Sequence, residues 1–535
     1  MNYDPLYHPY PSRRMTHYGR KGMVATSQPL AAGAGMEILK KGGNAIDAAI
    51  AAAACLTVVE PTSNGIGSDA FALVWTEGKL HGLNASGPAP GAISIDAVRR
   101  RGHAEMPRLG LIPVNVPGAP AAWAELSRRF GRLPLTAALA PAIDYAEHGY
   151  PLSPVLAGAW RRSFEHYRQA ASGEEFRPWF ETFAPGGRAP ETGEMWASPG
   201  HAATLVAIAE TGAEAFYRGH LAEQIDAFSR KHGGFLRAGD LAGFSPEWVA
   251  PIKVNYRGFE VWELPPNGQG LVVLMALNML KRFDFPARES VRTCHLQIEA
   301  MKLAFVDGLR YITEESGMSV TVEDLLSDAY ARERGARIGD EALEPAPGEP
   351  GPGGTVYLAT ADGEGNMVSF IQSNYMGFGS GIVIPGTGIS LQNRGHNFSL
   401  DPGHTNRLEP GKRTYHTIIP GFLTRDGQPV GPFGVMGGFM QPQGHLQVIM
   451  NTIDFNLNPQ AALDAPRWRW EKSKTVSLER GVPEDVGLAL AARGHDIRWD
   501  PGCEGFGRGQ IIWRDGNGVL AGGTEPRCDG TVLAW

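Results

Sequence analysis

The chain of 535 residues is long enough to form one large layered domain or two domains, and its formal net charge of −7 is spread along the sequence. The lack of a basic block argues against nucleic acid as a partner. The four cysteines have neither a CxxC motif nor another metal-ligand spacing, which is typical of reduced thiols and excludes a disulfide framework. They are Cys55, Cys294, Cys503 and Cys528.

The sequence predicts no membrane partner. The most apolar run, 45–59, is short and alanine-rich and contains Asp47, so we expect a core helix there and not a membrane span. Residues 1–15 lack the apolar segment of a secretory signal. We therefore expect a cytoplasmic protein.

The first elements alternate between strand and helix. Residues 22–28 predict a strand and residues 29–41 a helix that ends at two glycines. Further on, the spacing Gly65-x-Gly67-x-x-Ala70 imitates a dinucleotide fingerprint. It follows a helix and opens a strand, the reverse of that motif, so we expect no dinucleotide cofactor.

The middle of the chain is mainly helical. Residues 82–116 predict alternating strands and turns, and residues 120–235 predict helices. Strand patterns return at 252–264, and residues 295–312 form a helix with a wide apolar face. His295 opens that helix, and no second histidine follows four residues later, so the sequence gives little support for a zinc site.

The composition changes abruptly at Thr355. Residues 341–354 are almost all Pro, Gly, Ala and acid, which predicts an exposed, mobile linker. From Thr355 onward, an alternating apolar run, a turn cluster at 362–366 and a second apolar run predict a β-hairpin. Because so apolar a strand belongs in a core, the linker delivers Thr355 to the edge of a buried region.

A threonine in this position can act as a nucleophile. Its hydroxyl needs a base, and its own α-amino group can be that base once the chain is cut before it. Such an amine titrates at about pH 8, so much of it is neutral near neutral pH. Gly354 has no Cβ, which leaves its carbonyl open to the Thr355 hydroxyl. The same residues also fit an ordinary junction between a linker and a strand.

Beyond the hairpin, a glycine-rich loop at 376–388 is followed by a strand, the pair Gly437-Gly438 and a helix. Alternating residues at 509–535 predict a closing pair of hairpin strands. Strands separated by long helices predict helical layers packed outside two stacked sheets, an α+β fold.

Eight separated motifs, in this order, resemble the gamma-glutamyltranspeptidase family of N-terminal-nucleophile hydrolases. They are KGGNAIDAAIAAA, EPTSNGIGSDAFALVW, VPGAPAAWAEL, PPNGQG, EAMKLAFVD, GGTVYLATADGEGN, GSGIVIPGTGI and MGGFMQPQGH. The resemblance implies a four-layer αββα sandwich of the α+β class. It also implies an inactive precursor that cuts itself between Gly354 and Thr355. The large chain, 1–354, and the small chain, 355–535, would then stay together as one catalytic domain without metal or other cofactor.

The resemblance also implies roles for individual residues. Thr355 would carry both the self-cleavage and the turnover. Ser373 matches a hydroxyl, Thr in typical members, that hydrogen-bonds the amine of the nucleophile, and Ser keeps the donor and acceptor. Gly437 and Gly438 match the pair whose N–H groups form the oxyanion hole.

The positions that the resemblance places around the substrate depart from the family. These are Ser86, Tyr375, Arg394, Asn397, His416 and Thr417. Typical members hold an α-carboxylate with an arginine at the position of Ser86 and an α-ammonium with an aspartate at that of Asn397. Arg394 would repel an ammonium and would suit a carboxylate on an acyl group, as in a dicarboxylic monoamide. Ser86 also fits a plain turn residue, and Arg394 a surface ion pair.

We therefore predict an amidohydrolase that forms a threonyl acyl-enzyme and passes the acyl group to water or to an amine. The expected partners are a small amide substrate carrying a carboxylate and the chain's own cleaved fragment. The substituted positions favour the oxamate amidohydrolase and cephalosporin acylase branch. A true gamma-glutamyltransferase or glutathione hydrolase is one alternative, and an uncleaved, non-catalytic binding protein is another.

Overall fold

The computed structural model describes residues 10, 12, 14–345, 354–502 and 504–535. Most of the predicted linker, 346–353, lies outside this part of the chain, as does Cys503. Cys55, Cys294 and Cys528 are free thiols, in line with the predicted reduced state.

The helices are α1 (Pro29–Lys40), α2 (Ala45–Val59), α3 (Ile95–Arg99), α4 (Ala119–Phe130), α5 (Leu135–His148), α6 (Pro154–Ala170), α7 (Arg177–Phe183), α8 (Pro199–Thr211), α9 (Glu214–Tyr217), α10 (His220–Lys231), α11 (Ala238–Ala242), α12 (Gly270–Leu280), α13 (Val291–Tyr311), α14 (Val322–Leu326), α15 (Asp328–Gly335), α16 (Met440–Ile453), α17 (Pro459–Asp464) and α18 (Glu484–Ala492).

The strands are β1 (His17–Gly19), β2 (Gly22–Thr26), β3 (Asp69–Thr76), β4 (Lys79–Ala85), β5 (Tyr150–Pro151), β6 (Met195–Trp196), β7 (Glu247–Val249), β8 (Ile252–Tyr256), β9 (Phe259–Glu263), β10 (Gly354–Asp362), β11 (Met367–Tyr375), β12 (Gly421–Arg425), β13 (Gln428–Met436), β14 (Trp468–Lys472), β15 (Thr475–Glu479), β16 (Asp496–Asp500), β17 (Arg508–Arg514), β18 (Leu520–Thr524) and β19 (Thr531–Ala534).

Two seven-stranded antiparallel sheets form the centre of the molecule. The first has the order β1-β18-β17-β13-β12-β9-β8, and the second has the order β19-β2-β10-β11-β3-β4-β7. In the second sheet β10 and β11 lie between β2 and β3, so the hairpin that begins at the predicted cleavage point occupies the middle of the sheet. Smaller sheets join β14, β15 and β16, and β5 with β6.

Three apolar clusters separate the layers. Phe71, Tyr357, Phe422 and Ile512 belong to the cluster between the two sheets. A second cluster packs α1, α2, α4 and α5 on the outer face of the second sheet, and a third packs α12, α13 and α16 on the outer face of the first. The predicted four-layer αββα sandwich is confirmed.

Helix α2 packs the outer helical layer against the second sheet. All fifteen of its residues are buried, because it is alanine-rich and lies against β10 and β11 with α1 and α5 beside it. A capping box starts it: the Asn44 side chain accepts the N–H groups of Ile46 and Asp47, and the Asp47 carboxylate accepts the Asn44 N–H. The expectation of a core helix here is confirmed, and no described helix is long and apolar enough to cross a membrane.

Two predictions of strands need correction. The strands and turns predicted at 82–116 were expected to end in a strand, but residues 114–116 form a buried loop with no ladder, because Pro113 and Pro117 flank them and lack the N–H that a strand partner would need. The closing hairpin predicted at 509–535 is confirmed as β17 and β18. The correction is that the chain end adds a third strand, β19, which pairs with β2 in the second sheet.

Candidate active site

Thr355 lies at the start of β10, in the middle of the second sheet, and its side chain is fully buried. Gly354 is the first residue of the same strand and pairs with Tyr375, with a register irregularity before Val356. The ladder with β11 therefore pairs the residues on either side of Thr355, Gly354 with Tyr375 and Val356 with Gln372.

Ser373 connects the two sides of that bond. Its hydroxyl lies 2.6 Å from the Gly354 carbonyl oxygen and 3.0 Å from the Thr355 hydroxyl, and it accepts the Tyr375 N–H at 2.7 Å. A serine has one proton to give, and a carbonyl can only accept. The Ser373 proton therefore goes to the Gly354 carbonyl, and the Thr355 hydroxyl donates to Ser373.

Gly437 and Gly438 form the turn between β13 and α16, with φ values of 137° and 61° that favour glycine. The Gly437 carbonyl accepts the N–H of Met440, and the Gly438 carbonyl accepts the N–H of Gln441 and the Gln269 amide. In each peptide plane the N–H of the following residue points away from the carbonyl, so the N–H groups opposite these two carbonyls are those of Gly438 and Phe439. The turn thus directs the Gly438 N–H away from the helix end, and an oxyanion hole needs backbone donors of this kind.

Two cavities share Phe439 as a lining residue. One, of about 290 Å³, is lined by Gly354, Gly437 and Phe439 among others. The other, of about 910 Å³, is lined by Tyr375, Asn397 and Phe439 among others. Gly354 thus borders the smaller cavity and its strand partner Tyr375 borders the larger one.

A second group of polar residues is charged and deeply buried. The Arg394 Nε donates to Asp69 Oδ2 at 3.1 Å, and its Nη1 donates to the Thr417 hydroxyl at 2.6 Å. The His416 Nε2 lies 2.9 Å from the same Asp69 oxygen. Asp69 is also the strand partner of Ser373, so this cluster adjoins the hydroxyl network around Thr355.

The electrostatics of the cluster follow from burial. Burial, helped by the neighbouring Arg394 charge, lowers the pKa of His416 from 6.5 to about 4, so the ring is neutral near pH 7. Burial also lowers the pKa of Arg394, which the Asp69 carboxylate opposes. Among the described residues, the buried Arg394 Nη2 and Asp69 Oδ1 have no hydrogen-bond partner. A donor and an acceptor thus remain unused inside the protein.

The other predicted substrate positions lie around this cluster. The Tyr375 ring covers Arg394, whose guanidinium carbon is 4.4 Å from the ring centre, and Tyr375 has a φ of 75°. The Asn397 amide donates to the Tyr415 carbonyl while lining the larger cavity. Ser86 is buried, and its hydroxyl contacts the side chains of Asn84 and Asn267.

Several of these findings change the sequence interpretation. Arg394 is 1% exposed, so the alternative of a surface ion pair is wrong. Asp69 was missed, although a carboxylate at the first position of the apolar strand β3 signals a buried partner. Gln441, whose amide lies 3.5 Å from the Thr355 hydroxyl, carried no signal of its own.

His295 also has close neighbours that the sequence does not show. Its Nε2 lies 2.9 Å from the Gly339 carbonyl and its Nδ1 2.9 Å from His495, and Glu299 lies near enough to complete a metal-binding group. The Lys302 ammonium donates to the Glu299 carboxylate at 2.8 Å, which supplies a positive charge there already. His295 is thus a hydrogen-bonded residue, as predicted, but α13 begins at Val291, so His295 lies in the second turn of the helix and does not open it.

Comparison with known proteins places this geometry in a family. The family model described as Gamma-glutamyltranspeptidase matches residues 31–535. The Glutathione hydrolase-like YwrD proenzyme of Bacillus subtilis (strain 168) is 36% identical over 530 residues, which cover 96% of this chain and 98% of that protein. The Oxamate amidohydrolase proenzyme of Klebsiella pneumoniae is 35% identical over 528 residues, with 96% and 98% covered.

A solved structure agrees with these matches. The crystal structure of cephalosporin acylase from Bacillus halodurans superposes with a TM-score of 0.96 at 65% sequence identity, covering 100% of this chain and 99% of that one. The resemblance seen in the eight motifs is confirmed over almost the whole chain. The chain belongs to the gamma-glutamyltranspeptidase family and is a self-processing amidohydrolase of the N-terminal-nucleophile type.

Proposed function

We propose that Thr355 cuts the chain before itself and then serves as the nucleophile for amide substrates. The observation that carries the proposal is the hydrogen-bond chain from the Thr355 hydroxyl through Ser373 to the Gly354 carbonyl, with distances of 3.0 and 2.6 Å. Ser373 thereby polarises the Gly354 carbonyl, which is to be attacked, and accepts a hydrogen bond from the Thr355 hydroxyl, which attacks it.

The self-cleavage then runs in two steps. The Thr355 oxygen adds to the Gly354 carbonyl carbon, its proton passes through the network to the departing amide nitrogen, and the C–N bond breaks to leave an ester. Breaking the C–N bond also frees the amine of Thr355. Water then hydrolyses the ester, which gives a carboxylate on Gly354 and returns the hydroxyl of Thr355. That amine becomes the base for the Thr355 hydroxyl in later turnovers.

In turnover we assign the oxyanion to the N–H groups of the turn at Gly437 and Gly438. Donors fixed before the reaction stabilise developing charge by several kcal/mol. The acyl group passes from Thr355 to water, or to an amine that reaches the ester first. These steps use protein groups and water. That the enzyme needs neither metal nor other cofactor stays a prediction from the family resemblance.

Cleavage at this bond would give chains 1–354 and 355–535, and we expect them to stay together as a heterodimer. The proposal is supported by the strand order β19-β2-β10-β11-β3-β4-β7, in which strands of the two pieces are interleaved. Separating them would expose β10 and β11, whose residues from Thr355 onward are all buried. The cytoplasmic location stays a prediction from the sequence.

For the substrate we propose an amide whose acyl group carries a carboxylate and lacks an α-ammonium, such as a glutaryl amide. The support is the unused Nη2 donor of Arg394, which a carboxylate could satisfy once Tyr375 turns aside. A second candidate is γ-glutamyl transfer, which the unused Asp69 Oδ1 supports. This oxygen could accept a hydrogen bond from the substrate's α-ammonium, the role of the aspartate that typical family members have at the position of Asn397.

Two experiments test the proposal. Intact-mass analysis and N-terminal sequencing of the purified protein should give two fragments, the smaller beginning at Thr355. Only one full-length species, in protein that hydrolyses amides, would contradict it. A panel of 4-nitroanilides should then favour glutaryl over γ-glutamyl by about 10-fold or more in kcat/KM, since a lost or repelled charge costs about 1.5–3 kcal/mol. Equal rates would support γ-glutamyl transfer.

A further inference from the structure

Gln441, on the first turn of α16, contacts the nucleophile, and the proposed chemistry does not yet use it. Its side chain is fully buried, and its Nε2 lies 3.5 Å from the Thr355 hydroxyl oxygen. The Ile419 N–H donates to its Oε1 at 3.0 Å. A backbone N–H can only donate, so the amide oxygen faces Ile419 and the amide nitrogen faces Thr355. Since the Thr355 hydroxyl gives its proton to Ser373, its oxygen accepts from Gln441.

The other buried glutamines of α16 use their amides differently. Gln443 and Gln447 each donate from Nε2 to two backbone carbonyls, so both N–H protons of each amide serve the fold. Among the described residues, the Gln441 Nε2 has the Thr355 oxygen as its one acceptor. Because buried amides normally use their hydrogen-bonding capacity, the Gln441 donor is held for the nucleophile and not for the helix.

The length of this contact determines when it matters. A distance of 3.5 Å is long for an N–H···O bond, which is usually about 2.9–3.0 Å, so the neutral hydroxyl gains little from it. A hydrogen bond to an ionised oxygen is shorter and about twice as strong. The Gln441 donor should therefore stabilise a negatively charged Thr355 oxygen more than the resting hydroxyl, and such a difference lowers a reaction barrier.

We infer that Gln441 is a further catalytic residue, which stabilises the Thr355 oxygen as it leaves the acyl-enzyme. The inference rests on the proposed function and extends it. Water adds to the acyl carbon of the ester, and the Thr355 amine takes the water proton. The bond from the acyl carbon to the Thr355 oxygen then breaks, its electron pair goes to that oxygen, and the amine returns the proton. Gln441 donates to the oxygen while it carries this charge, whereas in acylation the charge develops on the substrate carbonyl oxygen.

Turnover of an anilide separates deacylation from acylation. Gln441→Met keeps the length of the side chain and removes the amide. With glutaryl-4-nitroanilide, kcat should fall by about 10-fold or more, the value of a hydrogen bond to a charged group, because deacylation becomes limiting. The value of kcat/KM, which reports acylation, should fall by less than about 3-fold. Nitroaniline should appear in a burst before the slow steady state, as expected when an acyl-enzyme accumulates.

Gln447→Met is the matched control, because it removes a buried amide from the same helix without a contact to Thr355. It should lower the unfolding temperature and leave kcat and kcat/KM unchanged. If Gln441→Met does not fold, Gln441→Asn keeps an amide in the core but is too short to bond both Ile419 and Thr355, and the same loss of kcat is expected. Equal losses in kcat and kcat/KM without a burst, or the same burst in Gln447→Met, would overturn the inference.

Self-cleavage tests the same step without an added substrate. The ester between Gly354 and Thr355 also breaks by departure of the Thr355 oxygen, so it should persist in the Gln441→Met precursor. Neutral hydroxylamine, which splits esters but not amides, should then cut the precursor and leave a hydroxamate on Gly354, which mass spectrometry detects. If the wild type is cleaved and Gln441→Met is cleaved equally fast with no ester trapped, the role of Gln441 is wrong. A wild type that stays uncleaved would instead contradict the proposed function, on which the inference rests.

Discussion

The hydroxyl network at Thr355 and the charged cluster beneath Tyr375 are neighbours, yet they are built in opposite ways. The first consists of neutral groups from one hairpin, since Thr355 and Ser373 are 18 residues apart. The second joins the ion pair of Asp69 and Arg394, which are 325 residues apart, to neutral side chains of a third segment. Bond-breaking chemistry is thus held by local strand pairing, whereas the groups that could select the substrate are held by long-range tertiary contacts.

Substitutions in the two regions should therefore have different effects on stability. Loss of a neutral hydroxyl leaves small groups that can find other hydrogen bonds. Loss of one partner of a buried ion pair leaves an uncompensated charge, which costs about 3–5 kcal/mol. We expect substitutions in the hydroxyl network to affect rate with little effect on stability, and substitutions in the charged cluster to affect both.

The largest effect is expected at Thr355. Thr355→Ala should abolish cleavage and reduce amide turnover on the order of 10⁶-fold, the size seen when a covalent nucleophile is removed. Thr355→Ser keeps a hydroxyl and should still be cut, though more slowly, because it lacks the methyl group that restricts the rotamer. Denaturing gels over time and kcat on a good anilide measure both. A cleaved and active Thr355→Ala protein would place the nucleophile elsewhere.

The contrast between local and long-range contacts explains which features could be predicted from the sequence. The hairpin, the buried helix at 45–59 and the switch at Thr355 depend on periodicity and composition within short windows, and all were predicted. The contact between Asp69 and Arg394 depends on how β3 and a loop 325 residues later are packed, which no local pattern encodes. The resemblance named Arg394 but could not show that its charge is already paired.

The next largest effect is expected in the charged cluster. Arg394→Gln leaves the Asp69 carboxylate buried without its cation and should destabilise the protein by about 3–5 kcal/mol. The double variant Asp69→Asn, Arg394→Gln replaces both charges and should recover most of that loss, while losing the preference for carboxylated acyl groups. Thermal unfolding of the processed enzyme and the anilide panel measure the two effects.

Arg337→Gln is the matched control for the Arg394→Gln variant. Arg337 pairs with Glu333 at the surface, where both side chains are more than half exposed. Its loss should change stability by less than about 1 kcal/mol. If Arg394→Gln is no more destabilising than Arg337→Gln, the buried pair does not hold the cluster together.

A smaller effect is expected at Ser373. Ser373→Ala removes the donor to the Gly354 carbonyl and the acceptor for Thr355, and should slow both cleavage and turnover by about 10- to 100-fold. Ser373→Thr keeps the hydroxyl and should retain most of the rate of both. Cleavage half-time and kcat are the measurements, with unfolding temperature as the check on folding. Unchanged rates in Ser373→Ala would exclude its proposed role.

The smallest effect is a pH dependence that follows from His416. Its pKa in the fold is about 4, below the ordinary value of 6.5, so between these values the unfolded chain binds more protons. His416 therefore contributes stability above pH 6.5 that is lost as the pH falls toward 4, with a slope of at most about 1.4 kcal/mol per pH unit. Thermal unfolding from pH 7 to 4.5 should show a shallower decline for His416→Gln than for the wild type.

His201 separates the general effect of burial from the effect of this site. It is fully buried on α8, bonds to Ser198, and has a pKa lowered to about 4 by burial alone. His201→Gln should flatten the pH dependence of unfolding in the same way as His416→Gln, since both rings must gain a proton as the protein unfolds. Only His416→Gln should also alter the anilide preference, because only His416 contacts the Asp69 carboxylate that holds Arg394. If the two variants have the same preference among the anilides, the charged cluster stabilises the fold but does not select the substrate.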